Sequence, residues 1–240
     1  MKAKYLFIIV LCSILLPRFS EAQIKSIKLV VSITGSIINY DTRDYATIRY
    51  QVYDSAGKRV ARGKSNAVEK GYYFVTGLKP GQTYWIKFFD MKYLRMEYKF
   101  SIPYTDKYTE YSKDFLVVPR KPSLKLALSV PPFERGKKKL RYGIEDFLDF
   151  YAKIVVRNPR IKFEIQCLPD KADETAKNLV LTEGRAHTIK NYFVSRGAKE
   201  QKIYTQGSAT IDKDNPPPVK KRSKGHHYIG TTYLALKQIK

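Results

Sequence analysis

The chain has 240 residues, with 45 Lys and Arg against 22 Asp and Glu and a formal charge of +23. Such a field favours anionic partners: nucleic acid, anionic lipid head groups or a carboxylate-rich polymer. It bears on association and solubility and says nothing of the fold.

Lys2 and Lys4 precede an apolar run from Tyr5 to Leu16, and Ser20-Glu21-Ala22 follows. A basic segment, an apolar segment and a small-x-small site read as a secretory signal cut after Ala22. The run is shorter than the roughly 20 residues a membrane-spanning helix needs. The expected mature chain is therefore exported, with no transmembrane segment. Its charge stays near +21, because the signal carries three cations and one anion. Export argues against nucleic acid and leaves the cell wall and the membrane surface as anionic partners. Cleavage also leaves Cys167 as the single cysteine, which excludes an intrachain disulfide. The remaining length fits two domains of about 100 residues each.

From residue 23 to 119 the pattern is one of short strands. Ile27, Leu29, Val31 and Ile33 alternate, as do Ile48, Tyr50 and Val52, and later Tyr84, Ile86 and Phe88. Turn residues separate them at Asp54 to Gly57, at Gly71, and from Gly77 to Gly81. Short strands at this spacing predict an all-β antiparallel sandwich. Tyr53 to Lys58, Lys70 to Phe74 and Leu78 to Tyr84 resemble the carboxypeptidase-regulatory-like, transthyretin-like sandwich of exported bacterial proteins. Fibronectin type III modules share the Leu-x-Pro-Gly-x-x-Tyr turn. The resemblance implies an interaction or spacer module with a protein partner in the envelope, and no active site.

Pro119 and Pro122 mark a semi-rigid linker. Beyond it, residues 120–240 change period. Leu124, Leu126 and Leu128 predict a strand. Leu140, Ile144, Phe147, Leu148, Tyr151, Ile154 and Val155 then recur at helical spacing, until Asn158-Pro159 stops the helix. Ile161, Phe163, Ile165 and Cys167 share one face of a strand, which makes Cys167 a buried, inert thiol. A second helix runs from about Asn178, with Leu181, Ile189, Tyr192 and Phe193 on one side and Gly197 as a left-handed cap. A strand at Ile203, a Pro- and Lys-rich loop over 207–227 and a last strand near 228–236 complete an order β-α-β-α-β-β. That order is an α+β sandwich with its helices on one sheet face.

Asp170 lies just before the second helix and Arg185 on it, fifteen positions apart. A carboxylate and a guanidinium held apart on a rigid frame suit a zwitterionic amino acid, the acid taking an ammonium and the base a carboxylate. Asp170, Asn178, Leu181, Thr182, Arg185, Ala186 and Gly197, within 28 residues, resemble the signature of the OmpA-like peptidoglycan-binding domain. The resemblance covers residues 123–238. It implies a non-catalytic periplasmic protein that binds the diaminopimelate-containing stem peptide of peptidoglycan, with Asp170, Arg185, Asn178 and the pocket-lining Phe133 as the binding residues. It also implies an anchor that ties an envelope or secretion assembly to the wall at the outer membrane of a Gram-negative cell. The alternative is an assembly subunit whose domain has kept the fold, lost the ligand and become a protein–protein module.

Two departures stand out. Pro169 replaces a residue with a backbone donor at the pocket rim, and Gly230-Thr231-Thr232 stands where the family has a basic pair. His187, His226 and His227 lack companions at metal-ligand spacing, so no metal or cofactor is expected. There is no phosphate-binding glycine loop and no catalytic triad, so the chain does not read as an enzyme. The basic runs 137–139 and 220–224 read as solvated loop charge.

Overall fold

The computed structural model describes residues 29–171, 175–213, 216 and 231–239. The expected signal segment, Ile27, the basic run 220–224, His226, His227 and Gly230 lie outside the described residues.

Eight strands build the first domain: β1 (Val31–Asn39), β2 (Arg49–Tyr53), β3 (Arg59–Lys64), β4 (Tyr72–Leu78), β5 (Thr83–Phe89), β6 (Glu97–Ser101), β7 (Thr109–Ser112) and β8 (Phe115–Val117). They form two sheets, one with β1 beside β4, β7 and β8, the other in the order β3-β2-β5-β6. The alternating residues meet between the sheets: Val31, Ile33, Ile37, Tyr73, Val75 and Phe115 from one, and Tyr50, Val52, Tyr84, Ile86, Phe88 and Phe100 from the other. Tyr50, Tyr73 and Tyr84 are buried within this core. Each hydroxyl is hydrogen-bonded; Tyr84, for example, accepts the Lys79 N–H at 2.8 Å and closes the Leu-x-Pro-Gly-x-x-Tyr turn. The sandwich is as expected but not uniformly antiparallel, since β1 pairs in parallel with β7 and then β8. Alternation reports which face a residue takes and carries no information on strand direction.

The second domain follows the expected order, with β9 (Lys125–Ala127), α1 (Glu145–Arg157), β10 (Ile161–Cys167), α2 (Thr175–Ser195), a 3₁₀ turn (Glu200–Lys202), β11 (Ile203–Gly207) and β12 (Thr232–Ile239). The sheet order is β11-β10-β12-β9. Ile161, Phe163, Ile165 and Cys167 point into the core shared with both helices, while Lys162, Glu164 and Gln166 line the other face. Helix α1 begins five residues later than its apolar pattern predicts. Leu140 instead bridges to Phe133, and the Arg141 N–H donates to the Pro132 carbonyl at 3.0 Å, which closes a loop ahead of the helix. At the far end of α2 the Ala198 N–H reaches the Phe193 carbonyl (3.0 Å) and the Gly197 N–H that of Val194 (2.9 Å). That is a Schellman cap, and Gly197 takes its left-handed position with φ +92°.

The Pro119–Pro122 segment is anchored rather than slack. The Leu94 N–H donates to the Val118 carbonyl and the Arg120 N–H to the Lys92 carbonyl, each at 2.8 Å. Leu94, Met96 and Val118 are buried in the core of the second domain. Asn158, expected only to stop α1, is also buried and does more. Its Oδ1 accepts the Arg95 N–H (3.0 Å), and its Nδ2 donates to the carbonyls of Arg95 (3.1 Å) and Ile154 (2.8 Å). One side chain therefore caps a helix of one domain and pairs with the backbone of the other.

Candidate functional site

The inward stripe of α2 is Asn178, Thr182, Arg185, Ala186, Ile189 and Phe193, a spacing of about four that keeps one helix face against the sheet. Its C-terminal half is apolar and its N-terminal half polar. Thr182 Oγ1 accepts the Ser208 N–H at 3.0 Å and lies 2.9 Å from the carbonyls of Asn178 and Ser208. This holds α2 close to the end of β11. Gly207 is required there, because a Cβ would stand 2.6 Å from the Glu183 backbone nitrogen.

The four predicted site residues come together and are all buried. Arg185 is 0% and Asp170 8% exposed. The guanidinium grips the carboxylate in bidentate fashion, Nη1 to Oδ1 at 2.7 Å and Nη2 to Oδ2 at 2.8 Å. Nη2 also donates to the Glu134 carbonyl (2.9 Å), and Nε donates to the Lys137 carbonyl (2.8 Å). Asp170 Oδ2 further accepts the Gly136 N–H at 2.9 Å. The ring of Phe133 lies against the other side of the guanidinium, 5.2 Å from centroid to Cζ. Asn178 donates from Nδ2 to the carbonyls of Lys171 (3.0 Å) and Ala209 (3.2 Å), so it spans the two loops flanking the pair.

This corrects one expectation. The acid and the base are not held apart across an open cleft; they hold each other. The loop 134–137 closes over them, with its carbonyls aimed at Arg185 and its Gly136 amide at Asp170. Lys137 also pairs with Glu134 across that loop. Spacing along the chain could not reveal this, since the carbonyl acceptors lie 48 and 51 residues before Arg185. Leu181, expected on the inward side, is only half-buried; Thr182 takes the inward position.

Beside the pair, Cys167 is 1% exposed, and its Sγ lies 3.8 Å from Thr232 Oγ1. Burial pushes its thiol from an ordinary value of 9.0 up to about 12, against smaller opposing effects of Thr232 and of the Arg185 charge. Thr231, one of the departures noted above, accepts the Leu168 N–H through its carbonyl at 2.9 Å, and Thr232 is buried. Among the described residues no group of three or more His, Cys, Asp or Glu is placed to hold a metal ion. None of their helices is long and apolar enough to cross a membrane.

Two helices on one face of a four-stranded sheet, with a buried pair joining Asp170 ahead of the second helix to Arg185 in its middle, define an α+β domain. Residues 132–224 match the OmpA family, and this part of the chain is an OmpA family domain. No curated protein matches the chain significantly. Among solved structures, the peptidoglycan-associated lipoprotein of Burkholderia pseudomallei is 15% identical, with 44% of this chain and 86% of that one covered and a TM-score of 0.35. The Bacillus anthracis TIE protein is 18% identical over 37% of this chain and 16% of that one, at 0.31. Shaft pilin SpaA of Lactobacillus rhamnosus GG is 12% identical over 38% and 46%, at 0.30. The chain thus spans less than half the length of the latter two.

Proposed function

We propose that this protein is a non-catalytic periplasmic component of the cell envelope whose OmpA family domain binds peptidoglycan at the diaminopimelate residue of the stem peptide. The observation that carries the reading is an acid and a base side by side at the signature positions of the family, Asp170 and Arg185. A zwitterionic amino-acid centre matches such a pair by exchange. Its ammonium takes the place of Arg185 on the carboxylate, and its carboxylate takes the place of Asp170 in the guanidinium fork, so every charge keeps an opposite partner. Entry requires the loop 134–137 to release Arg185. Phe133 and Asn178 then line the opened space. The sandwich offers the surface for a protein partner, and the whole chain anchors an envelope or secretion assembly to the wall.

A second reading has an observation of its own. Arg185 is fully buried and spends four of its five N–H donors on Asp170, Glu134 and Lys137. On that reading the pair is a structural tie, and the domain docks on protein rather than on the wall. Retention on purified diaminopimelate-type sacculi at raised salt separates the two. The first reading expects retention of the wild type, competition by free meso-diaminopimelate, and loss of retention in the neutral double variant D170N/R185Q. A wild type that remains in the supernatant, or equal retention of the double variant, would favour the second.

A further inference from the structure

A cleft of about 540 Å³ opens at the joint between the domains, away from Asp170, Asn178 and Arg185. Its walls carry Arg49 from the start of β2, Arg95 from the β5–β6 connection, Arg120 from the interdomain crossover, and Arg157 and Arg160 from the turn between α1 and β10. Asp90 is the one carboxylate in the lining, and its Oδ1 already accepts the Lys92 N–H at 2.7 Å. Arg157 is paired with Glu97 at 2.8 Å. Among the described residues the other four arginines make no ion pair.

A cluster of like charges at a joint opposes the packing that creates it. The opposition is visible at Arg120, where burial and then the charges of Arg95 and Arg160 pull the guanidinium below its ordinary value, with Asp90 giving partial relief. Its Nε is buried without a hydrogen-bond partner. The backbone is held at Arg95 by its two bonds with Asn158 and at Arg120 by its bond to Lys92. Arg49, Arg95 and Arg160 are exposed and Arg120 is half-buried, and such a set of planar forks, outside any ion pair and in mutual repulsion, is complementary to an oxyanion of more than one charge. The volume lies within the range of small-molecule sites. Phe89 and the largely exposed Met91 give the cleft an apolar lip.

We propose that this interdomain cleft is a binding site for a phosphate-bearing ligand, held by Arg95, Arg120 and Arg160. The phosphate can belong to a soluble compound or to a lipid head group. Inorganic phosphate and pyrophosphate serve as probes in calorimetric titration and thermal melts of the full exported chain. The variant R120Q/R160Q is compared with K58Q/K99Q, which removes the same charge from exposed positions of the sandwich. In phosphate-free buffer R120Q/R160Q should melt at or above the wild type, because repulsion is relieved, which also confirms folding. It should bind pyrophosphate at least about tenfold more weakly than the wild type, the equivalent of a single charge-assisted bond lost, while K58Q/K99Q stays within about twofold. Flotation with phosphatidylglycerol but not phosphatidylcholine vesicles, lost in R120Q/R160Q, assigns the phosphate to a lipid; probe binding without flotation assigns it to a soluble compound. Equal weakening in the two variants, or no binding of either probe by the wild type, overturns the proposal.

Discussion

Replacing Asp170 by Ala provides the sharpest test of how the buried pair is held. In the wild type the side chains of Arg185 and Asp170 are 1% and 5% exposed, and the bidentate bonds measure 2.7 and 2.8 Å. D170A leaves a full positive charge inside the domain, facing only the carbonyls of Glu134 and Lys137. Breaking a buried pair from one side costs about 3–5 kcal/mol, a large part of the roughly 5–15 kcal/mol that holds a domain together. R185A strands the carboxylate, with only the Gly136 amide for company, and should cost a similar amount. D170A/R185A removes both charges at once, so it should lose clearly less than the two single variants summed. The coupling energy should be about 2 kcal/mol or more, within the range for residues of one network. Urea unfolding followed by far-ultraviolet circular dichroism reports on this domain, because among the described residues both α-helices, α1 and α2, belong to it. A D170A penalty below about 1 kcal/mol, the value for an exposed ion pair, would refute the reasoning and mean that the loop 134–137 stands open in solution.

The interdomain latch and the buried thiol give two further expectations. Asn158→Ala strands the Arg95 N–H and should destabilise the chain by about 1–3 kcal/mol. Trp85, the single tryptophan, sits in β5, so its fluorescence follows the sandwich while circular dichroism follows the helices. The two curves should coincide in the wild type and separate in the variant; coincident curves in both would exclude the latch. In a folded chain lacking residues 1–22, Cys167 should resist iodoacetamide at neutral pH and react fully in urea, since burial holds its proton well above the ordinary thiol range. A proton bound more tightly in the fold means that this group's contribution is complete below pH 9.0 and is lost as pH rises towards 12. Rapid native labelling at pH 8 would contradict that burial.

The strands and helices were legible in the sequence wherever one face is apolar. Ile161, Phe163, Ile165 and Cys167 alternate because a strand buries every second residue, and the structure buries all four. Helix α2 was harder to read, because its buried face begins with Asn178, Thr182 and Arg185, and a search for apolar periodicity passes over polar residues that fold inward. The site residues were named by a family signature, which fixes identity and spacing but not whether two charges meet. Closure of the pair depends on the loop at Glu134 to Lys137, whose backbone carbonyls leave no trace in residue type. The arginine cleft was illegible for a related reason. Arg49, Arg95, Arg120 and Arg160 are scattered over more than a hundred positions, and only the packing of one domain on the other gathers them.

The Asn158 latch and the crossover held against Lys92 and Leu94 decide how load would travel through the molecule. A rope-like tether would let a partner drift relative to whatever the helical half grips. A joint pinned through one amide and a seam of buried side chains would instead pass any pull on the sandwich straight into α1.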